Sequence, residues 1–243
     1  MSGMLHIRHL APILVVVLTA GAAAYGLRWL QQQPCTRLVT RNMIQTDSAS
    51  IHRLAMPADS TFKAAIVADR VRRHPWVRWS TATCYPTGAL HLNIEERVPV
   101  LLVIDEAGHS AHFIDPGGFM MPLTGHSTFD VPLLRGLSEP YHPIKPVSHP
   151  EVRALAQALA RVEAGTKQLL SEFMVTHAGI ALYTVTAANG TPVEVWLGRE
   201  DFALRLQRFR FFWEQHMVRH PWQSFDLIDL RFKGQIVTRE AST

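Results

Sequence analysis

The sequence predicts an α+β fold behind a single N-terminal transmembrane helix, with a mixed, β-rich part carrying packed helices. Three observations carry that prediction. One run, Leu10 to Leu30 (LAPILVVVLTAGAAAYGLRWL), is long and apolar enough to cross a bilayer. Three later stretches place apolar residues at helical spacing, and the segments between them alternate apolar with polar residues and break at Gly, Pro, Asn and Asp. With 47% hydrophobic and 18% charged residues, the chain beyond the run can bury real cores and is not disordered.

Roughly 20 residues at about 1.5 Å each reach across a hydrocarbon core of about 30 Å. Arg28, the one charge in the run, can snorkel, and Trp29 sits where an aromatic belt residue meets the headgroups. Residues 1–9 form a short tail expected in the cytoplasm, and the rest of the chain is expected outside the inner membrane. Arg8 precedes the span while Arg28, Arg37 and Arg41 follow it, but long folded segments translocate largely regardless of such charges. The alternative is a cleaved signal peptide, for which Ala22, Ala23 and Ala24 offer small residues near a cleavage point. The apolar character continues through Tyr25, Leu27, Trp29 and Leu30, longer than a usual signal core.

After the polar exit at Gln31 to Pro34, the stretch Leu38 to Pro57 shows no clear period. A helix is expected from a capping Asp59 or Ser60, with Ala64, Val67, Ala68 and Val71 on one stripe, and Pro75 ends it. His74-Pro75-Trp76 then leads into a strand with Val77, Trp79, Thr81, Thr83 and Tyr85 on one face and Arg78, Ser80, Ala82 and Cys84 on the other. Pro86-Thr87-Gly88 turns it into a strand of alternating Leu90, Leu92 and Ile94. Short strands follow at Val100–Ile104 and Ala111–Ile114, around the turns at Asp105–Gly108 and Asp115–Gly118. A second helix is expected from Pro150 to Gly165, burying Val152, Leu155, Ala156, Leu159 and Val162. Strands return at Leu169–Val175, Ile180–Thr186 and, past an Asn189-Gly190 turn, Val193–Leu197. A third helix from Glu200 to about Met217 carries Phe202, Leu206, Phe209 and Trp213 on its stripe, with Arg205, Arg208 and Arg210 off it. A second His-Pro-Trp corner, His220 to Trp222, precedes final strands at Phe225–Phe232 and Gln235–Thr238. Both Trp76 and Trp222 are expected to pack in cores.

Nothing in the sequence demands catalysis. The formal charge of +4 comes from arginines scattered among acids, which gives no basic block for nucleic acid. Thirteen histidines show no His-Glu-x-x-His or Cys-x-x-Cys spacing, and His109 and His112 fall on opposite faces of a hairpin strand, so no metal site is expected. Nucleophile-elbow and phosphate-loop motifs are absent, and no cofactor is expected. Glu95 and Glu96, as strand neighbours, face opposite ways and cannot share acid/base work. Asn189-Gly190-Thr191 reads as a hairpin turn rather than a glycosylation site. Cys35 and Cys84 could pair in an oxidising space, but one follows the span and the other lies deep in a strand pattern, so two unpaired thiols are expected.

Several motifs, in order, complete the reading. They are His74-Pro75-Trp76-Val77, Glu95-Glu96-Arg97-Val98-Pro99-Val100, Phe113-Ile114-Asp115-Pro116-Gly117-Gly118, Leu197-Gly198-Arg199, Leu206-Gln207-Arg208-Phe209, and Ile228-Asp229-Leu230-Arg231-Phe232-Lys233-Gly234-Gln235. Behind a single span, this series resembles the FtsQ/DivIB family of bacterial cell-division proteins over most of the chain. The resemblance implies a POTRA-like domain over residues 31–99, with its first strand between about Ile44 and Met56, and a β domain over 100–243. It implies a non-enzymatic scaffold at the division septum that brings FtsB/FtsL-type bitopic proteins to the peptidoglycan synthesis machinery. It also implies a partner-binding region at Arg231, Phe232, Lys233, Gly234, Gln235, Ile236 and Val237. An edge strand there would offer unpaired backbone groups, with Phe232 either core or interfacial anchor. The competing classes are an envelope enzyme or β-rich accessory subunit with a site of scattered histidines and acids, and a POTRA-type chaperone or translocation module, which comes in tandem copies where one is visible here.

Overall fold

A computed structural model describes residues 15–26, 35, 37–56, 63–123, 128–185, 192–219 and 225–241. They divide into two compact units, one of residues up to Arg72 with Trp79–Glu95, the other of Arg73–Arg78 with Glu96 onward. Residues 15–26 form a helix, α1, which at about 1.5 Å per residue is about 18 Å long. Among the described residues no helix is long and apolar enough to cross a membrane. The remainder of Leu10 to Leu30 lies outside the described residues, as do Asp59, Ser60, the Asn189-Gly190 turn and the His220-Pro221-Trp222 corner.

The first unit continues with β1 (Arg37–Arg41), α2 (Ser48–Ala55), α3 (Ala64–Arg72), β2 (Val77–Cys84) and β3 (Ala89–Glu96). The strands lie in the order β1-β3-β2, with β1 parallel to β3. The first strand is therefore earlier than the expected Ile44 to Met56, which is largely helix. Asp47 explains the difference: its carboxylate accepts from the Ala49 and Ser50 N–H groups at 3.2 and 2.9 Å, an N-cap that starts α2 and turns Ile51 and Ala55 inward. Asn42, at φ 61°, ends β1, and its Nδ2 donates to Asn93 Oδ1 at 2.8 Å. In α3 the buried stripe is Val67, Ala68 and Val71, and in β3 it is Leu90, Leu92 and Ile94, as the periods predict. The inward face of β2 is the small one. Ser80 is fully buried and its hydroxyl donates to the Ala68 carbonyl at 2.7 Å, while Trp79 is 50% exposed beneath the Arg72 guanidinium.

Cys35 and Cys84 are joined in a disulfide, with Cα atoms 6.1 Å apart, which corrects the expectation of two unpaired thiols. The reason is topological. β1 enters the sheet beside the far end of the β2–β3 hairpin, where the Arg37 N–H donates to Gly88 O at 3.2 Å, so Cys35, two residues before β1, meets Cys84, the last residue of β2. A separation of 49 residues hides that adjacency in the sequence.

The second unit holds β4 (Leu101–Ile104), β5 (Ser110–Ile114), β6 (Met120–Pro122), β7 (Leu133–Arg135), α4 (Pro150–Leu159), α5 (Ala164–Lys167), β8 (Leu170–Thr176), β9 (Gly179–Thr184), β10 (Glu194–Gly198), α6 (Phe202–Phe212), β11 (Phe225–Asp229) and β12 (Val237–Glu240). Its strands form one nine-stranded sheet in the order β12-β11-β10-β9-β8-β7-β4-β5-β6. β7 is parallel to both β4 and β8, and β10 is parallel to β11. Cross-strand partners define two rows. Val103, Leu134, Phe173, Leu182, Val195 and Ile228 form a buried row under α4 and α6, whose Val152, Leu155, Ala156, Leu159, Phe202, Leu206 and Phe209 belong to the same core. On the other face the row Leu102, Leu133, Glu172, Tyr183, Glu194 and Leu227 turns from apolar to polar along the sheet.

Several boundaries differ from the sequence expectation. The second helix ends at Leu159 rather than Gly165, because i→i−3 bonds from Arg161 and Val162 to Ala158 and Leu159 tighten its end and Gly165 starts within the short α5. α6 passes into a π-helix over Trp213–Val218. The final strands are shorter and shifted, at Phe225–Asp229 and Val237–Glu240.

Trp76, 1% exposed, stacks on Phe129 at 5.7 Å and meets Phe113 edge-on at 6.1 Å, and its Nε1–H donates to Pro122 O at 3.2 Å. Trp76→Ala should destabilise the protein by about 3–5 kcal/mol in denaturant titration, and a variant that unfolds like the parent would contradict the core role. Reducing the Cys35–Cys84 bond, or Cys35→Ser with Cys84→Ser, should cost about 2–4 kcal/mol through the freed loop. A melting temperature insensitive to reductant would count against it.

Candidate functional site

The sheet ends at β12, and among the described residues no strand pairs with its outer side. All four of its residues, Val237, Thr238, Arg239 and Glu240, are exposed. The opposite end is closed differently: β6 is three residues long and its Pro122 carbonyl is taken by the Trp76 indole. β12 thus presents a row of edge N–H and C=O groups, tempered by the charges of Arg239 and Glu240.

What holds this edge is a set of arginines. Arg208, on α6, donates from Nη1 to Phe232 O at 3.1 Å and from Nη2 to Gln235 O at 2.6 Å, clamping both sides of the turn that launches β12. Gly234 supplies the positive φ of that turn, at 76°. Arg231 grips Asp229 through Nε and Nη2, at 2.9 and 2.6 Å, and lays its guanidinium 4.3 Å from the Trp196 ring centre. Arg205 is buried and donates from Nη1 to the Leu197 carbonyl. Gly198 lies between these cations: its φ is 73°, and a Cβ there would stand 2.7 Å from Arg205 Nη1 and 3.0 Å from Arg231 Cγ. This accounts for the glycine of Leu197-Gly198-Arg199.

Electrostatics follow from the same contacts. Burial pushes the Asp229 carboxyl upward, but the hydrogen bonds and charge of Arg231, with the charge of Arg205, outweigh it and hold the group below its ordinary range. On the open face, Glu194 accepts from Trp196 Nε1 at 2.9 Å and from the Tyr183 hydroxyl at 3.3 Å. Burial, followed by the nearby Glu194 carboxylate, raises the Tyr183 hydroxyl and keeps it protonated. Arg135 and Glu172 pair at 2.9 Å farther along the same face.

The seven residues expected to bind a partner therefore separate. Arg231 is engaged with Asp229 and Trp196, and Ile236 packs against the core. Phe232 is 46% exposed, and Lys233, Gln235 and Val237 face solvent, so Phe232 is displayed rather than core. Among the described residues, no group of three or more His, Cys, Asp or Glu side chains is placed to hold a metal ion. His109 is exposed beside Asp105, whereas His112 is buried, so the two do not form a site.

The FtsQ/DivIB C-terminal-related family matches residues 98–239, which include the whole nine-stranded sheet apart from the end of β12. A protein named Cell division protein FtsQ from Rhodothermus marinus is 42% identical over 217 residues, covering 87% of this chain and 80% of that protein. The chain belongs to the FtsQ/DivIB family. A second Cell division protein FtsQ, from Salinibacter ruber, is 34% identical over 237 residues, covering 92% of this chain and 90% of that protein. A third, from Geotalea daltonii, is 24% identical over 177 residues, covering 72% of this chain and 62% of that protein. In this FtsQ/DivIB chain the sequence motifs pointed to the terminal hairpin but not to what supports it. Arg208 and Arg205 lay off the predicted apolar stripe and gave no sign of roles as a clamp and a buried donor. The available signal for Arg205 was its place next to Leu206, three residues after Phe202, at the margin of the buried face.

Because the folded Asp229 carboxyl is depressed, its contribution is complete above about pH 4 and is lost as pH falls through the folded-state value. The stability difference between the parent and Asp229→Asn, measured by urea unfolding, should be largest near pH 7 and shrink below about pH 4. A difference independent of pH would contradict the charged pairing with Arg231.

Proposed function

We propose that this chain is a non-enzymatic scaffold of the bacterial division machinery, anchored in the inner membrane through Leu10 to Leu30 and located at the septum. Its three-stranded unit is the POTRA-like domain, corresponding to residues 31–99, and its nine-stranded unit is the β domain of residues 100–243. The relatives named Cell division protein FtsQ support the division role. The Cys35–Cys84 disulfide supports an extracytoplasmic position for the part beyond the span, since such bonds persist in oxidising compartments.

The observation that carries the mechanism is the outer strand β12, exposed along its length and fixed by the Arg208 clamp. An FtsB-type partner adds a strand to that edge, and the exposed Phe232 and Lys233 ahead of the strand, with Val237 at its start, serve as side-chain contacts. The scaffold contributes position rather than chemistry: it holds FtsB/FtsL-type proteins where septal peptidoglycan synthesis takes place.

Prolines tell backbone pairing from side-chain contact. Gln235 and Ile236 precede β12, so the informative positions are within Val237–Glu240. Along an edge strand alternate N–H groups point outward. Proline at the outward positions should leave the melting temperature near that of the parent yet weaken capture of the FtsB-type partner by about tenfold or more, while alanine at the same positions should not. Full capture by every folded proline variant would move the partner site off this edge.

A further inference from the structure

The positive charge of the chain is unevenly placed. Residues 31–99 carry nine arginines and lysines against five acids, whereas residues 100–243 carry thirteen against fifteen. The three-stranded sheet sharpens this polarity. No aspartate or glutamate occurs in residues 1–46 or 70–94, the stretches that hold β1, β2 and most of β3. The acids of the sheet, Glu95 and Glu96, stand together where β3 finishes. The opposite end, where β1 and β3 begin and β2 finishes, has no carboxylate on any of its strands.

That end is also the one tied to the span. Cys35 follows Leu30 by five residues, at most about 18 Å of extended chain. The Cys35–Cys84 disulfide, with Cα atoms 6.1 Å apart, fixes the tip of the β2–β3 hairpin to that short lead. The tip is a tight turn in which the Tyr85 N–H donates to Ala89 O at 2.8 Å, the Gly88 N–H to Tyr85 O at 2.9 Å and the Arg37 N–H to Gly88 O at 3.2 Å. It displays Tyr85, 46% exposed with its ring centre 4.5 Å from that of His91, together with the exposed Pro86, Thr87 and Arg37. Tyrosine has an apolar ring and a polar end suited to the headgroup level, and a guanidinium is the strong partner for phosphate oxygens.

We infer that the β2–β3 tip docks on the anionic phospholipid headgroups of the membrane that holds the span, with Tyr85 entering the interfacial layer and Arg37 meeting lipid phosphates. This docking rests on the reading of Leu10 to Leu30 as the anchor. The interfacial layer is about 5–7 Å deep on each side of the hydrocarbon, so a five-residue lead leaves the tip within reach of it. Lipid is the occupant rather than an acidic protein for two reasons. The covalent lead holds the tip at a high effective concentration beside the lipid surface, and an extended anionic surface matches a whole sheet end that lacks carboxylates. The site belongs to the three-stranded unit and does not depend on strand addition at β12.

The test uses the full chain in lipid nanodiscs with isotope-labelled tyrosine rings and a nitroxide on a fraction of the headgroups, read by NMR line broadening. Of the four tyrosines, Tyr25 reports the span, Tyr85 the tip, and Tyr141 and Tyr183 the nine-stranded unit. Tyr25 and Tyr85 should both broaden. For Tyr85 the broadening should be at least about threefold greater in discs containing phosphatidylglycerol than in pure phosphatidylcholine, and the difference should vanish in about 1 M salt. Arg37→Gln, at an exposed position, should lower the docked-to-free ratio of the tip about fivefold, the share of one arginine near an anionic surface, without changing the melting temperature. Tyr85 broadening that ignores lipid charge, or that Arg37→Gln leaves unaltered, would overturn the docking while a broadened Tyr25 keeps the anchor. Tyr183 broadening as strongly as Tyr85 would also refute the tip as the site. A sharp Tyr25 would overturn the anchor itself, and the docking with it.

Discussion

One ion pair organises the second unit. Arg97 Nη1 and Asp115 Oδ2 lie 2.7 Å apart with both side chains nearly buried, where losing either partner would strand the other's charge. Each residue is also held by its backbone and surroundings. The Arg97 N–H donates to the Trp76 carbonyl at 2.9 Å and its guanidinium covers the Phe119 ring, while Asp115 Oδ1 accepts the Phe119 N–H at 2.8 Å. Trp76 in turn donates its indole N–H to Pro122. Three stretches distant in sequence, His74-Pro75-Trp76, Glu95 to Val100 and Phe113 to Gly118, are thereby one physical object. The charge pair sits where the β4–β5 hairpin folds against the Trp76 segment, so satisfying it fixes both.

Arginine has a second use at the far end of the same sheet. Arg208, Arg205 and Arg231 direct their donors at carbonyls and a carboxylate that strand pairing leaves open around the β10, β11 and β12 ends. A lysine could supply the charge but not the fork that reaches Phe232 O and Gln235 O together. The polar end of the open face, with Glu194, Tyr183, Trp196 and Arg231, is internally satisfied in the same way, and this lets a sheet face stand in water without an apolar patch.

The parts of the fold that were legible are those whose period is local. The stripe of Val67, Ala68 and Val71, the alternation of Leu90, Leu92 and Ile94, and the turns at Asp105 and Asp115 all depend on neighbours within a few residues. What escaped depends on distant partners. β1 is too short for alternation to register and exists because β3 pairs with it. β7 is three residues made strand by parallel neighbours on both sides, and the disulfide follows from sheet order. The candidate site divides along the same line. The terminal hairpin could be placed from its motif, but that Arg231 and Ile236 are engaged internally while Phe232 is displayed needed the register and the Arg208 clamp.

The two rows of the sheet explain how its last strand can stand outside the core. On the covered face the apolar row stops at Ile228, one strand short of the edge, and its partner on β12 is the exposed Thr238. On the open face Leu227 is followed by the exposed Arg239. The core therefore closes at β11, and β12 contributes backbone pairing on its inner side and almost no buried apolar surface. Ile236, just ahead of it, is the inward anchor, and the Arg208 clamp fixes the turn, so the strand's direction is set before its own side chains matter. Selection for a stable core and selection for what the edge presents then act on different residues, which is the condition for an edge strand to bind without being needed for folding.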